Sequence, residues 1–417
     1  MKVSLLTLGC KVNQAEIISL ERELREKGYS IVSLDENPDV CVINTCAVTS
    51  KSDYQSRQLI RRAAGSGAKV IATGCYSQMN SGHVERMEGV IEVVGNREKH
   101  NIIEKINKIS SSNVLTPVRI GKAHRSRCFL KIQDGCNYSC SYCLISKARG
   151  AATSIEPEKV VENIKKIESE GYQEVVLTGI HLGLYGVDLS PSMGLSRLIG
   201  KILENTAIRR IRLSSLEVNE VDRRLIEILK DDRVCNHLHV PLQSGDEKIL
   251  KLMKRQYSTA DFIEKLEKIA SEMPDFGFGT DVITGFPGEG EPEFENTVSV
   301  LKRLPFTYMH SFPYSERPGT EAISLPGRVD RGIRKARTSL IRALSDEKKS
   351  AFIETLKGKV VDVLLEENVN GEFIGTSGNY IKVAVPFREG MRPGSIINVR
   401  VQGQTGGKAL GKPELDL

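Results

Sequence analysis

The sequence contains no tryptophan, and aromatic residues fill only 5% of its 417 positions, so its core must rest on aliphatic side chains. No apolar run reaches the roughly eighteen residues that a membrane-crossing helix needs. The opening, MKVSLLTLGCKVNQ, lacks the long apolar stretch and small-residue cleavage pattern of a secretory signal, and a cytoplasmic protein is expected. An excess of charge is missing too: 59 Lys and Arg against 53 Asp and Glu leave a formal +6, which permits a polyanionic partner without demanding one.

Cysteine, by contrast, is plentiful. Nine cysteines, an odd number, argue in an intracellular chain for metal-binding or catalytic thiols rather than a disulfide framework. Three of them, Cys136, Cys140 and Cys143, form a C-x3-C-x2-C run just after a short apolar segment at 129–132. Thiolates bunched this tightly can converge on one centre, and three supply one ligand too few for a four-iron cluster. One iron is then open to a small chelating molecule. A three-cysteine zinc site completed by a distant histidine, or a disulfide with a spare thiol, accounts for the same run.

Short apolar strands at 3–8, 30–34, 40–43, 69–73 and 90–94 alternate with helices at 14–27, 52–64, 77–87 and 98–109, the pattern of an open parallel α/β layer. Cys10, Cys46 and Cys75 each follow a strand, in TLGCKVN, NTCAV and TGCYSQ. In such a sheet the carboxyl ends of the strands face one edge, so three cysteines far apart in sequence meet there, beside Gly9 and Gly74. A second three-thiolate centre is one reading, and buried strand-end cysteines without a ligand are the other. Cys41, Cys128 and Cys235 read as packed core residues.

Residues 110–127 lack periodicity and read as a linker with the basic cluster Lys122, Arg125 and Arg127. The βα rhythm then resumes, with strands at 129–133, 174–178, 209–213, 238–242, 278–283 and 308–312 and five helices between them, followed by a charged helix from 328 to 357. Six units of this length suggest a partial parallel barrel with its site at the carboxyl ends of the strands. Gly179, Ser214, Glu217, Gln243, Ile283 and Gly285 sit at or after those ends, and Asp281 lies within the fifth strand as a polar contact or helix cap. Residues 358–417 alternate in short strands and form a small antiparallel β-barrel on which Lys382, Arg388, Arg392 and Arg400 are basic RNA-contact candidates. The domains are therefore 1–109, the linker 110–127, the barrel with its trailing helix 128–357, and the terminal barrel 358–417.

The run Cys136, Cys140, Cys143 resembles the signature of radical S-adenosylmethionine enzymes, and Cys10, Cys46 and Cys75 match the amino-terminal cluster domain of methylthiotransferases. HVPLQSGDEKILKLMKR (239–255) and TDVITGFPGE (280–289) follow in that family's order, and residues 358–417 look like its terminal TRAM domain. Of its three subgroups, acting on isopentenyladenosine in tRNA, on threonylcarbamoyladenosine in tRNA and on a ribosomal-protein aspartate, LGCKVNQ (8–14) and RLSSLE (212–217) look most like the second.

The resemblance implies two 4Fe–4S clusters, two S-adenosylmethionine molecules per turnover, a sulfur source and an electron donor such as flavodoxin or ferredoxin. A 5'-deoxyadenosyl radical removes hydrogen from C2 of adenosine 37, sulfur comes from the cluster at Cys10, Cys46 and Cys75, and a second cofactor donates the methyl group. It places Tyr142, Gly179, Ser214, Glu217, Gln243, Ile283 and Gly285 at the cofactor, and Arg149 and Asp281 among the catalytic groups. The partner implied is the anticodon stem-loop of tRNA, met by a monomer without a membrane. One departure stands out. Relatives carry Pro-Tyr before x-Arg-Gly, whereas this chain reads Ser146, Lys147, Ala148, Arg149, Gly150. An iron–sulfur RNA-binding protein without catalysis is the reading of a different class.

Overall fold

A computed structural model describes residues 1–109 and 126–414. Most of the proposed linker, with Lys122 and Arg125, lies outside the described residues.

The first unit comprises β1 (Lys2–Thr7), α1 (Lys11–Glu26), β2 (Ser30–Ile31), β3 (Val40–Thr45), α2 (Ser50–Gly65), β4 (Lys69–Gly74), α3 (Cys75–Met79), α4 (Ser81–Val84), β5 (Val90–Val94) and α5 (Ile102–Ile109). Its five strands run parallel in the order β2-β1-β3-β4-β5. β3 is buried along its whole length, as a central strand covered on both faces must be. The single helix expected over 77–87 is instead two. Asn80 breaks it, leaving helical geometry (φ −133°) while its side chain bonds back to the Tyr76 carbonyl at 3.2 Å. The strand expected at 30–34 shrinks to two residues because Ser33 and Glu36 close a capping box immediately after it.

The second unit begins with β6 (Cys128–Lys131), β7 (Gln133–Asp134), α6 (Ile145–Arg149) and β8 (Thr153–Ser154). It continues through α7 (Pro157–Ser169), β9 (Glu174–Thr178), α8 (Leu195–Asn205), β10 (Arg210–Leu213), α9 (Arg223–Ile228), β11 (His237–His239), α10 (Glu247–Leu252), α11 (Thr259–Glu272), β12 (Gly277–Thr284), α12 (Glu291–Arg303), β13 (Tyr308–Pro313) and α13 (Arg331–Thr355). Two parallel sheets, β10-β9-β6 and β11-β12-β13, meet through the Ile211–Val234 bridge and a 3.0 Å bond from the Leu216 N–H to the His239 carbonyl. The result is a six-stranded cup, open between β6 and β13. α1 leans on β6 at that opening, where Ile18 joins the core of the cup and Lys131 pairs with Glu16.

The third unit is a closed barrel of β14 (Val360–Val369), β15 (Glu372–Ser377), β16 (Lys382–Pro386), β18 (Lys408–Pro413) and β17 (Ile396–Thr405), in that order around the barrel. All its pairs are antiparallel except β16 with β18. It is fastened to the base of the cup around one fully buried carboxylate. Glu174 takes Arg210 Nε at 2.6 Å, Arg212 Nε at 2.9 Å and Arg127 Nη1 at 3.5 Å. The same arginines reach across to the Thr376, Ser377 and Gly378 carbonyls and to Asp362. Arg127, read from sequence as part of the basic cluster of the linker, is thus part of this junction.

Candidate active site between the cup and the first unit

Cys136, Cys140 and Cys143 lie in the loop between β7 and α6, held by bonds from the Cys136 N–H to the Gly150 carbonyl and from the Cys143 N–H to the Cys140 carbonyl, both 3.0 Å. N–H groups point at their sulfurs: Tyr138 at Cys136 and Ile145 at Cys143, each 3.4 Å, and the Arg255 guanidinium at Cys140, 3.5 Å. His181 Nδ1 lies 3.3 Å from Cys136, with its Nε2 on Glu220. Burial pushes the Cys143 thiol up to about 12 and also raises Cys140; the nearby Cys140 and Cys136 thiols raise Cys143 further, and Cys136 raises Cys140.

Cys10, Cys46 and Cys75 terminate β1, β3 and β4, adjacent in the sheet, and Cys46 feels both of the other thiols. Glycine is required beside them. Gly9 has φ +96°, and a Cβ there would lie 2.6 Å from Cys46 Sγ; Gly74 has the same φ, and a Cβ would strike the Thr45 carbonyl at 2.3 Å.

Among the described residues no three His, Cys, Asp or Glu side chains are arranged to hold a single metal ion. A four-iron cluster takes each thiolate on a different iron, so its ligands stand wider apart than those of one ion. Two sets of three thiols, with N–H donors that favour thiolate around the first and an arginine on Cys75 in the second, fit such clusters in their donor chemistry.

Arg149 connects the two sets. α6 carries it away from the first cysteine loop into the first unit, where its guanidinium is fully buried. Nε donates to Cys75 Sγ at 3.4 Å, Nη1 to Glu16 and Asp134 at 2.9 Å each, and Nη2 to Asn13 at 2.7 Å. All three nitrogens hold partners within the chain. Lys147, beside it, donates to the Gly319 carbonyl at 2.6 Å. Ala148 packs with Cys75 and Tyr76 in the core of the first unit, so the segment without Pro-Tyr is a strap between units.

The other residues named from sequence fall into separate places. Tyr142 and Ile283 pack together with Phe286 beneath the cysteine loop. Glu217 pairs with Arg255, which carries it to Cys140. The Ser214 hydroxyl is buried without a hydrogen-bond partner among the described residues, as a group awaiting a ligand is. Gln243 takes a left-handed φ of 63° while bonding the Asp281 and Ile283 backbones on β12. At Gly179 the close approach is to Gln133, and at Gly285 it is to Arg334 of α13. Asp281 caps no helix: it lies inside β12, and its Oδ1 is 3.1 Å from His239 Nε2. Burial opposes its ionisation, but His239, His310 and Lys11 hold its carboxyl below the usual range.

On the terminal barrel, Lys382 pairs with Glu366, and Arg400 pairs with Glu414 and the Gly358 carbonyl. Arg388 and Arg392 have no side-chain partner among the described residues, and they flank the loop that begins at Phe387, 49% exposed. Sequence reasoning missed Arg255, although it closes the 239–255 motif. It also missed the Glu174 junction, for which no local signal exists.

A partial parallel cup with three cysteines in the loop after its first strand defines the class of radical S-adenosylmethionine proteins. Residues 130–301 match the Radical SAM superfamily, and residues 2–95 match Uncharacterized protein family UPF0004. The chain belongs to the methylthiotransferase family. It is 38% identical to the threonylcarbamoyladenosine tRNA methylthiotransferase MtaB of Aquifex aeolicus, over 88% of this chain and 94% of that one. With the Bacillus subtilis protein of the same name it shares 35% identity over 96% and 93%. A tRNA-2-methylthio-N(6)-dimethylallyladenosine synthase from Thermoanaerobacter is 30% identical over 86% and 81%. In fold, the radical S-adenosylmethionine methyltransferase TsrM from Kitasatospora setae is similar with a TM-score of 0.60 at 14% identity, covering 77% of each chain.

Proposed function

We propose that this chain is a tRNA methylthiotransferase that converts N6-threonylcarbamoyladenosine 37 to its 2-methylthio derivative. The observation that supports the reading is Arg149, which follows the Cys136–Cys143 loop on α6 and donates to Cys75 of the other cysteine set and to Asp134. Full-length similarity to MtaB proteins supports the substrate.

When bound, a 4Fe–4S cluster with S-adenosylmethionine at Cys136, Cys140 and Cys143 supplies a 5'-deoxyadenosyl radical, and one at Cys10, Cys46 and Cys75 supplies sulfur for transfer. The chain's own residues orient and enclose. Tyr138 and Ile145 N–H groups and Arg255 hold negative charge on the first three sulfurs. Ser214 offers an unspent hydroxyl, and Glu217, fixed by Arg255, offers a carboxylate to the cofactor's polar groups. Arg149 sets the separation of the two centres by ion-pairing with a carboxylate from each unit, Glu16 and Asp134.

Two S-adenosylmethionine molecules serve each turnover, one for the radical and one for the methyl group, and a flavodoxin or ferredoxin supplies electrons. The enzyme acts as a cytoplasmic monomer, and no helix among the described residues is long and apolar enough to cross a membrane. The terminal barrel contributes Arg388 and Arg392 to the tRNA backbone.

Mass spectrometry of tRNA nucleosides from cells lacking the gene tests the reading. Loss of methylthio-threonylcarbamoyladenosine with accumulation of its precursor is expected. Unchanged levels, in the absence of a redundant enzyme, overturn it, and loss of the methylthio-isopentenyl nucleoside reassigns the substrate.

A further inference from the structure

The face of β13 that looks into the cup is its exposed face. Met309 and Ser311 point outward and are buried, with Ser345 of α13 accepting the Met309 N–H at 2.8 Å, whereas His310 and Phe312 point inward and stay open to solvent. Tyr308, His310 and Phe312 form an inward ladder with ring centroids 5.1 and 6.4 Å apart. Its upper rung, Phe312, is 44% exposed. Three residues further on, Ser315 meets Ser50, four residues past Cys46, so the exposed ring stands at the seam between the cup and the second cysteine set.

Below Phe312 the cup is polar. His239 and His310 flank Asp281, whose Oδ2 accepts no hydrogen bond among the described residues. Lys11, at the start of the α1 helix that packs on β6, reaches over the Tyr380 ring at 5.9 Å, and that ring stacks with His237 and lies 5.4 Å from Tyr308. Lys11 makes no ion pair and donates no hydrogen bond among the described residues. A cation without an ion pair or hydrogen bond among the described residues and a carboxylate with a free acceptor oxygen, each favouring the other's charge, thus lie on the inner side of the cup below an exposed aromatic ring.

We infer that this inner side of the cup is where the N6 substituent is recognised: adenine stacks on Phe312, Lys11 binds the substituent's carboxylate, and Asp281 accepts from its hydroxyl. The inference rests on the proposed function and gives it a physical reason. A threonylcarbamoyl group carries a carboxylate, a hydroxyl and an amide N–H, which match a cation and an acceptor in complement. A dimethylallyl group carries none of these and would leave Lys11 and Asp281 desolvated and unmet, a penalty that lets polar pockets reject apolar analogues strongly. Stacking on an exposed aromatic ring is how single-stranded bases are held once they leave the loop.

The test uses cluster-loaded enzyme and anticodon stem-loops bearing the threonylcarbamoyl group, its carboxamide, its glycyl counterpart without the hydroxyl, or the dimethylallyl group. Rates are expressed per iron-loaded chain, and stem-loop binding is followed separately by fluorescence anisotropy. The native enzyme is expected to favour the carboxylate over the carboxamide, and Lys11→Met to raise KM for the carboxylate about tenfold or more while erasing that preference, with Lys11→Arg restoring it. Asp281→Ala is expected to erase the preference for threonyl over glycyl, and Phe312→Ala to weaken all substrates alike. Because Lys11 adjoins Cys10, the Asp281 and Phe312 variants decide the matter if Lys11→Met loads no iron. Retention of native discrimination by Lys11→Met or Asp281→Ala overturns the inference with the proposed function intact. A native enzyme that acts on the dimethylallyl loop and not on the threonylcarbamoyl loop overturns both.

Discussion

The guanidinium of Arg149 donates to the sulfur of Cys75 at 3.4 Å, although the two residues are 74 positions apart and belong to different units of the fold. This contact ties the loop of one cysteine set to a member of the other, and its surroundings are charged and dry. Glu16 and Asp134 are held ionised by Arg149 and by Lys99 and Lys131, against a burial that favours their neutral forms.

Removing Arg149 takes one cation from each of those carboxylates and leaves Lys99 and Lys131 to share them. Arg149→Ala is expected to destabilise the chain by more than a surface pair contributes but by less than the roughly 3–5 kcal/mol of a buried ion pair left with no second partner, because the lysines remain. Chemical denaturation of the iron-free chain measures it, and a loss below about 1 kcal/mol, the scale of a surface pair, contradicts the network described here.

The two cysteine sets are expected to be separable. Cys140→Ala should abolish 5'-deoxyadenosine formation, whereas Cys46→Ala should retain part of it and lose sulfur insertion. Each variant should hold about four irons per chain after reconstitution, against about eight in the native chain. Iron analysis with product chromatography checks both, and full methylthiolation by either variant is incompatible with two catalytic clusters.

Glu174 joins the cup to the terminal barrel through three arginines, and its carboxyl is held far below the usual range: burial works against ionisation, but Arg212, Arg210 and Arg127 overcome it. A depressed carboxyl contributes stability above its unfolded value and loses it as pH falls toward the folded one. Stability is therefore expected to decline below about pH 4, from the unfolded glutamate value downward. Glu174→Gln should flatten that limb and release the terminal barrel to limited proteolysis near residue 358. An unchanged acid limb would remove Glu174 as its source.

Of the four basic residues proposed to meet RNA, two are already paired. Arg388→Ala and Arg392→Ala should each weaken tRNA binding and reduce the slope of log affinity against log salt by about 0.7–0.9, one phosphate contact each. Arg400→Ala and Lys382→Ala should change it less, because Glu414 and Glu366 neutralise them. Equal effects from all four place the RNA on a different face.

Much of this was legible in the chain itself. Every strand of the first sheet and of the cup lies within a few residues of its apolar run, because strand periodicity and strand-end glycines are local properties. Asn80 was a weaker signal: one polar residue that bonds its own backbone split a helix that periodicity alone would continue. The two sets of three cysteines were readable, the first from its C-x3-C-x2-C spacing and the second because residues that follow strand ends share one edge whatever the loops do.

Arg149 shows the limit. Its neighbours in sequence mark it as a loop arginine near a cofactor, while Glu16, Asn13 and Cys75, which occupy it, come from another unit. Glu174 is the same case, an acid in an apolar strand whose three partners come from β10, which brings two, and from the chain just before β6. Local pattern determined which elements form and where the thiols emerge, because those depend on periodicity and spacing along the chain. The placing of Arg149 between the two cysteine sets, the openness of the inward face of β13 and the pairing that leaves Arg388 and Arg392 without side-chain partners among the described residues were decided only by tertiary structure, because buried charges and pairings are set by contacts between distant segments.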